Sequence, residues 1–194
     1  MDAEQTDAQL WAAVVRGDGI AFAAMFDRHG DRVWRHVWRI MQHRQDTEDV
    51  VSATFAEAWR KRARVRIVDD SILPWLLVTA TNCSRNASRG RRRLDRLIAH
   101  IPRGGDAPDA ADVVGDRQAA DDAKVAVSRA LRALPPADAS LIALVMLEEV
   151  PLADAARALG MGYGAAKTRI HRARGRMRVQ LEAAGVAPAL EEVP

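Results

Sequence analysis

The chain has 194 residues, room for one or two small domains that each bury a core, and it is 48% apolar but only 5% aromatic. Alanine and leucine far outnumber runs of valine, isoleucine or threonine, so an all-α fold is predicted and a β-rich one excluded. A single cysteine rules out an internal disulfide, and the net charge of +3 looks uninformative until it is resolved along the chain.

Residues 1–100 carry 17 basic and 13 acidic side chains, residues 101–123 carry 2 and 6, and residues 124–194 carry 10 and 7. Two basic blocks therefore flank an acidic hinge. No stretch approaches the roughly 18 apolar residues of a membrane span, and the start MDAEQTDAQLW is acidic and polar where a signal peptide is basic and then apolar. No membrane insertion and a cytoplasmic location are expected.

Apolar positions recur at helical spacing through Leu10, Trp11, Val14 and Val15, then Phe22, Met25 and Phe26, then Val33, Val37, Ile40 and Met41. The next helix is predicted to begin after Asp46 or Thr47 as N-cap, with Val51, Phe55 and Trp59 as its stripe, and to end in WRKRARVRI. A loop, VDDSIL, precedes Pro74, which is placed to open the helix PWLLVTATNCSRNASRGRRR. Residues 1–100 thus read as a bundle of about four helices.

Residues 101–123 read as a flexible acidic linker, with a helix from Asp116 onward as the alternative for its later part. The second domain is expected over 124–184, followed by a tail, 185–194. In it Val127, Leu131 and Leu134 stripe a helix stopped by Pro135 and Pro136, and Asp138 is predicted to cap ASLIALVMLEEV. A short helix from Leu152 to Leu159, Gly160, the turn MGYG and a last helix from about Gly164 to Leu181 follow, the order of a helix-turn-helix. The last helix turns Ala166, Ile170, Ala173, Met177 and Leu181 inward and presents Lys167, Thr168, Arg169, His171, Arg172, Arg174, Arg176 and Arg178 outward.

Between Gly160 and Gln180 there are six lysines or arginines and no acid. A solvated surface helix mixes both signs, whereas a uniformly basic one suits the major groove, its first turns reaching base edges and its flanks neutralising phosphates. A second basic cluster, Arg85, Arg89, Arg91, Arg92, Arg93 and Arg96, is opposed only by Asp95. It reads either as a phosphate-tracking surface or as a solvated helix end.

Other constellations lead nowhere. His29, His36 and His43 are seven residues apart, roughly 10 Å along a helix and too far to share an ion, so surface or partly buried histidines are expected and no metal. Cys83 reads as a small buried or half-buried residue. No nucleophilic triad, phosphate loop or carboxylate pair stands out, so neither catalysis nor a cofactor is expected.

The stretches GDGIAFAAMFDRH, DTEDVVSATFAEAWR and PWLLVTATNCSRNASRGRRR, followed by ALRALPPADASLIALVMLEEVPLADAARALGMGYGAAKTRIHRARGRMR, resemble in order and spacing a bacterial RNA polymerase sigma factor of the extracytoplasmic-function type. The resemblance covers nearly everything but the linker and the two ends. It implies a promoter-specificity subunit whose first domain binds core polymerase and the melted minus-ten element, and whose second binds the minus-thirty-five duplex. It implies docking on the clamp coiled coil through Asp46, Glu48, Asp49, Ser52 and Glu57. It further implies minus-ten contacts from Arg64, Arg66, Asp69, Asn82, Arg85 and Arg89, and minus-thirty-five contacts from Lys167, Thr168, Arg169, His171, Arg172 and Arg174. An anti-sigma factor is an implied partner.

The chain departs from the family pattern at Ser52 and Ala53, where a glutamine and an acid are usual. It departs again at Asp154, usually glutamate, and over Gly162 to Ala165, where a capping residue and threonine are usual. The competing readings are an autonomous helix-turn-helix regulator with an N-terminal sensor bundle, and a helical adaptor that binds only proteins. The basic faces speak against the adaptor, and the basic cluster of the first domain against the sensor.

Overall fold

The computed structural model describes residues 5–99 and 115–186. These form eight α-helices with one 3-10 turn, one π-helical turn and no strand among the described residues. Helices α1 (Asp7–Val15), α2 (Gly19–Met41), α3 (Arg44–Arg60) and α4 (Leu73–Ala99) build an N-terminal module. Helices α5 (Gly115–Ala133), α6 (Pro136–Ile142), α7 (Leu152–Leu159) and α8 (Tyr163–Ala183) build a C-terminal one. His100, residues 101–114 of the expected linker and most of the expected tail, 187–194, lie outside the described residues. Helix α5 begins at Gly115, so the last nine residues of the expected linker are helical.

Local chemistry explains most helix ends. Thr6 and Gln9 form a reciprocal capping box at α1. Asp18 caps α2 by accepting from the amides of Ile20 and Ala21 at 2.8 and 3.0 Å. Helix α3 begins earlier than expected: its cap is His43, whose Nδ1 faces the Asp46 amide, and Asp46 and Thr47 lie inside the first turn. The Thr47 hydroxyl donates back to the His43 carbonyl at 2.8 Å and so supplies no cap.

Between α3 and α4 the chain makes a two-residue reversal, Val68–Asp69–Asp70–Ser71. Val68 and Ser71 exchange backbone hydrogen bonds of 2.9 and 3.0 Å across it. Asp69 and Asp70 both hold positive φ, 49° and 56°, the geometry of a type I′ turn that aspartate tolerates better than most residues.

Three apolar cores form. The first, with Trp11, Val14, Met25, Val37, Phe55 and Leu76, lies wholly in the N-terminal module. Phe22 meets Phe55 and Trp59 edge-on at 6.2 and 5.1 Å, so most of the few aromatic rings gather there. The other two are shared between modules. Ile40 of α2 packs with Leu131, Leu134, Ile142 and Met177, while Val68 and Leu77 pack with Leu141, Leu144, Ala155 and Ala166. The two modules are therefore in intimate contact.

Polar residues complete the joint. Beyond α6 a π-helical turn, Ala143–Leu147, places Glu148 so that it points back at α2. Its carboxylate meets Nδ1 of His36 at 3.0 Å, Nε of Arg32 at 3.2 Å and Arg39 at 2.8 Å. Burial pushes this carboxyl up, but His36, Arg32 and Arg39 outweigh burial and hold it below the usual glutamate range. On its other side Nε2 of His36 lies 2.9 Å from the Thr81 hydroxyl, which itself donates to the Leu77 carbonyl.

This corrects the expectation of surface or partly buried histidines: His29 and His36 are both buried, because each sits against a carboxylate from a distant element. His43 remains exposed. Cys83 is half-buried, and burial pushes its thiol up.

Candidate nucleic-acid interface

Helix α7 ends at Gly160, whose φ of 66° turns the chain sharply enough for α8 to start three residues later. Gly162 stands at the N-cap of α8 with no side-chain bond, so the first amides of the helix are left for water or an anion. Ala166, Ile170, Ala173, Met177 and Leu181 are buried as expected, which fixes the opposite face outward. Lys167, Thr168, His171 and Arg172 are exposed on that face, with Tyr163 exposed one turn earlier.

Tyr163, Lys167, His171 and Arg174 also line a groove floored by Val145, Val150, Leu152 and Ile170. Tyr163 was not among the expected contacts, although an aromatic at the first helical position after a glycine turn is a legible signal. Thr168 spends its hydroxyl proton on the Gly164 carbonyl at 3.1 Å and keeps its lone pairs for a donor.

Two arginines of α8 are not free. Asp138 does not cap α6, whose N-cap is Pro135. It is buried under α8 and accepts from Arg169 at 3.4 Å and Arg176 at 3.1 Å. The expectation that Asp138 caps a helix is thus corrected: proline at the first helical position removes one of the amides a cap would satisfy, and the carboxylate finds two arginines across the module. Arg174 is half-buried and its Nε has no partner among the described residues.

The residues expected at the minus-ten element are placed less uniformly. Arg64 is exposed on the 3-10 turn Arg62–Arg64, in a shallow basic depression with Arg60, Lys61 and Arg62. Arg66 and Asp69 are exposed but touch the other module. The Arg66 guanidinium lies so close over Gly160 that a β-carbon there would sit 2.0 Å from it, and Asp69 accepts from Arg157 at 2.8 Å. Asn82 is half-buried and Arg89 exposed on α4.

Arg85 is only 5% exposed and donates to the Leu131 and Arg132 carbonyls at 3.0 and 3.1 Å. Burial, with Arg89 nearby, lowers its pKa from the usual arginine value. In this arrangement Arg85 is not available to DNA, which sequence reasoning missed because its acceptors lie 46 and 47 residues away. Of the remaining basic cluster, Arg91 and Arg93 are exposed, while the side chains of Arg92 and Arg96 lie outside the described residues.

Helix α3 presents Glu48, Asp49, Ser52 and Ala53 outward, while Val51 and Phe55 face the core. Asp46 is half-buried and ion-paired with Arg91, and Glu48 pairs with Arg44 at 2.9 Å. Glu57 accepts from Arg60 and Lys61, which lower its pKa. Asp49 is exposed and makes no ion pair among the described residues, so it remains the acid best placed for a partner.

No described helix is long and apolar enough to cross a membrane. Among the described residues no group of three or more His, Cys, Asp or Glu side chains is arranged to hold a metal ion.

The comparisons agree with this geometry. The family description Sigma-70 region 2 matches residues 25–94, and Sigma-70, region 4 matches residues 124–177. The ECF RNA polymerase sigma factor SigM of Mycobacterium tuberculosis is 33% identical over 176 residues, 90% of this chain and 84% of that protein. The RNA polymerase sigma factor CarQ of Myxococcus xanthus is 30% identical over 161 residues, 81% of this chain and 87% of that protein. The solved structure of CnrH in complex with the cytosolic domain of CnrY covers 92% of this chain and 99% of that one at a TM-score of 0.56 and 23% identity, a likeness of fold. The order of two helical modules, the helix-turn-helix at the end of the second and this similarity over the greater part of the chain place it among the extracytoplasmic-function sigma factors of RNA polymerase.

Proposed function

We propose that the chain is a promoter-specificity subunit that binds core polymerase through α3 and spans a promoter with its two modules. Helix α8 reads the minus-thirty-five duplex, with Lys167, Thr168, His171 and Arg172 at base edges in the major groove. Arg174 is assigned to the flanking backbone and Arg169 to holding the helix on Asp138. The observation that carries this reading is the exposed, acid-free strip of α8 behind the Gly160 turn.

Arg64, Arg66, Asp69, Asn82 and Arg89 take the melted minus-ten strand, where unpaired bases offer faces for stacking and the backbone offers charge, and Arg85 joins them only where its bonds to the Leu131 and Arg132 carbonyls are broken. Asp46, Glu48, Asp49, Ser52 and Glu57 form the docking surface for the clamp coiled coil, with Asp49 as its centre. The bond-making belongs to the polymerase; this chain contributes binding and strand capture, in the cytoplasm. An anti-sigma factor is a further proposed partner, supported by the CnrH structure having been solved as a complex with CnrY. The reading of an autonomous regulator with a sensor bundle is not favoured, since both halves of the chain match sigma regions.

Run-off transcription with purified core polymerase tests the proposal. A promoter-specific transcript that depends on the chain is expected, and Asp49→Ala is expected to weaken core binding several-fold without changing thermal stability. Absence of both a complex with core and a transcript on every cognate template overturns it.

A further inference from the structure

The chain distributes its aromatic side chains unevenly. It has five tryptophans, three phenylalanines and one tyrosine, and all but Tyr163 fall within the first 75 residues. The cores of the C-terminal module are aliphatic, and its one aromatic stands 57% exposed at the first position of α8. A ring with an apolar body and a polar tip that the fold leaves in water is suited to a contact surface. Resting on the assignment of α8 to the minus-thirty-five duplex, we infer that Tyr163 is a specificity-determining residue: its ring packs on the C5-methyl group of a thymine near the base read by Lys167, and so selects for thymine at that position.

The neighbours of Tyr163 leave it alone in reach of a base. Gly162, Gly164 and Ala165 are exposed and small, and Ala166 is buried. A β-carbon added at Gly162 or Gly164 would meet no atom within 4 Å, so neither glycine relieves crowding inside the molecule. Glycines that the interior does not require allow a second molecule to approach the backbone closely. Tyr163 stands between them as the one large side chain of the first turn of α8.

The chemistry around the ring points to a methyl group. In a helix-turn-helix the first residues of the second helix face base edges, and the thymine methyl is the apolar group that the major groove offers there. Tyr163 shares its groove with Val150 and Leu152, so an apolar patch opens an otherwise cationic strip. Glu149 lines the same groove, and its carboxylate disfavours a phosphate at that end. Lys167, His171 and Arg174 continue the lining along α8 and supply the cations for guanine and backbone. Tyr163 and Lys167 are four residues apart, about 6 Å along the helix, against roughly 3.4 Å per base pair, so they face bases about one or two steps apart.

Holoenzyme assembled from the full chain and purified core polymerase tests this by selecting duplexes from a pool randomised over the minus-thirty-five region. The wild type and Tyr163→Phe are expected to enrich thymine at a position where Tyr163→Ala shows no preference. In the selected duplex that thymine is then replaced by deoxyuridine, which removes the methyl group and nothing else. Fluorescence anisotropy is expected to show wild type and Tyr163→Phe binding the deoxyuridine duplex about fourfold more weakly, the value of one buried methyl-sized group. Tyr163→Ala is expected to bind both duplexes equally, with core affinity and melting temperature unchanged because the ring is exposed.

Wild-type holoenzyme that binds deoxyuridine as tightly as thymine at every thymine of the selected element overturns the inference, and this comparison depends on no variant. An unchanged thymine preference in Tyr163→Ala overturns it as well. Tyr163→Phe behaving as Tyr163→Ala would place the phenol on a phosphate or a base and overturn the methyl contact. Loss of core binding by a folded Tyr163→Ala would make the ring a protein contact, with the same consequence. The two readings fail separately: a chain that forms no holoenzyme, or one whose holoenzyme enriches no duplex, counts against the sigma reading and takes the inference with it. An enriched element indifferent to Tyr163 overturns the inference alone.

Discussion

The carboxylate of Asp7 and the imidazole of His29 meet at 2.6 Å inside the N-terminal module, joining the first turn of α1 to the middle of α2. Asp7 also accepts from Arg28 at 2.9 Å and from the Ile72 amide at 3.0 Å, so one buried acid ties α1, α2 and the entry to α4. Burial pushes the Asp7 carboxyl up, but His29, the Ile72 amide and Arg28 together reverse this and hold it far below the ordinary aspartate range.

A carboxyl depressed on folding contributes stability that is complete above its unfolded pKa, about 3.9, and is lost as pH falls through its folded value. Urea unfolding followed by circular dichroism is therefore expected to show wild-type stability declining below about pH 4. Asp7→Asn is expected to cost about 3 kcal/mol at neutral pH by replacing the buried anionic acceptor beside His29 and Arg28 with a neutral amide. The variant loses this component of the acid dependence.

Lys167 and Arg172 are exposed and carry no load in the fold, whereas Arg169 donates to the buried Asp138. Replacing Lys167 or Arg172 by alanine is expected to weaken minus-thirty-five duplex binding by about 1–3 kcal/mol, read by fluorescence anisotropy, with core binding and melting temperature unchanged. Arg169→Ala is expected to lower the melting temperature instead. A fall in melting temperature for Lys167→Ala or Arg172→Ala would contradict the division of labour on α8.

Gly160 holds a left-handed φ of 66° at the end of α7, under the Arg66 guanidinium. Gly160→Ala is expected to cost about 1 kcal/mol of stability from the backbone alone. The new methyl must also push Arg66 aside, which a flexible side chain permits. Combining Gly160→Ala with Arg66→Ala is expected to remove the clash while leaving the backbone cost, so thermal melts of the pair should show only partial recovery.

What could be read from the sequence was local. The apolar spacing of Ala166, Ile170, Ala173, Met177 and Leu181 set one face of α8 inward and left Lys167, Thr168, His171 and Arg172 outside, because a helix places residues three and four apart on one side whatever surrounds it. The glycine turn before α8, the breakers at Pro135 and Pro136 and the core stripe of α3 were legible for the same reason.

Tertiary structure decided the rest. His36 and Glu148 are separated by 112 residues, Asp138 and Arg176 by 38, Asp69 and Arg157 by 88. In each, a charged side chain is claimed by a partner from a distant element, and in the first two the acid is buried, a charge tolerated only where opposite charge and hydrogen bonds meet it. Composition and periodicity carry no term for such pairings. They therefore established a basic chain of two helical modules, and only the packing of those modules determined which of its arginines face outward and which bond one module to the other.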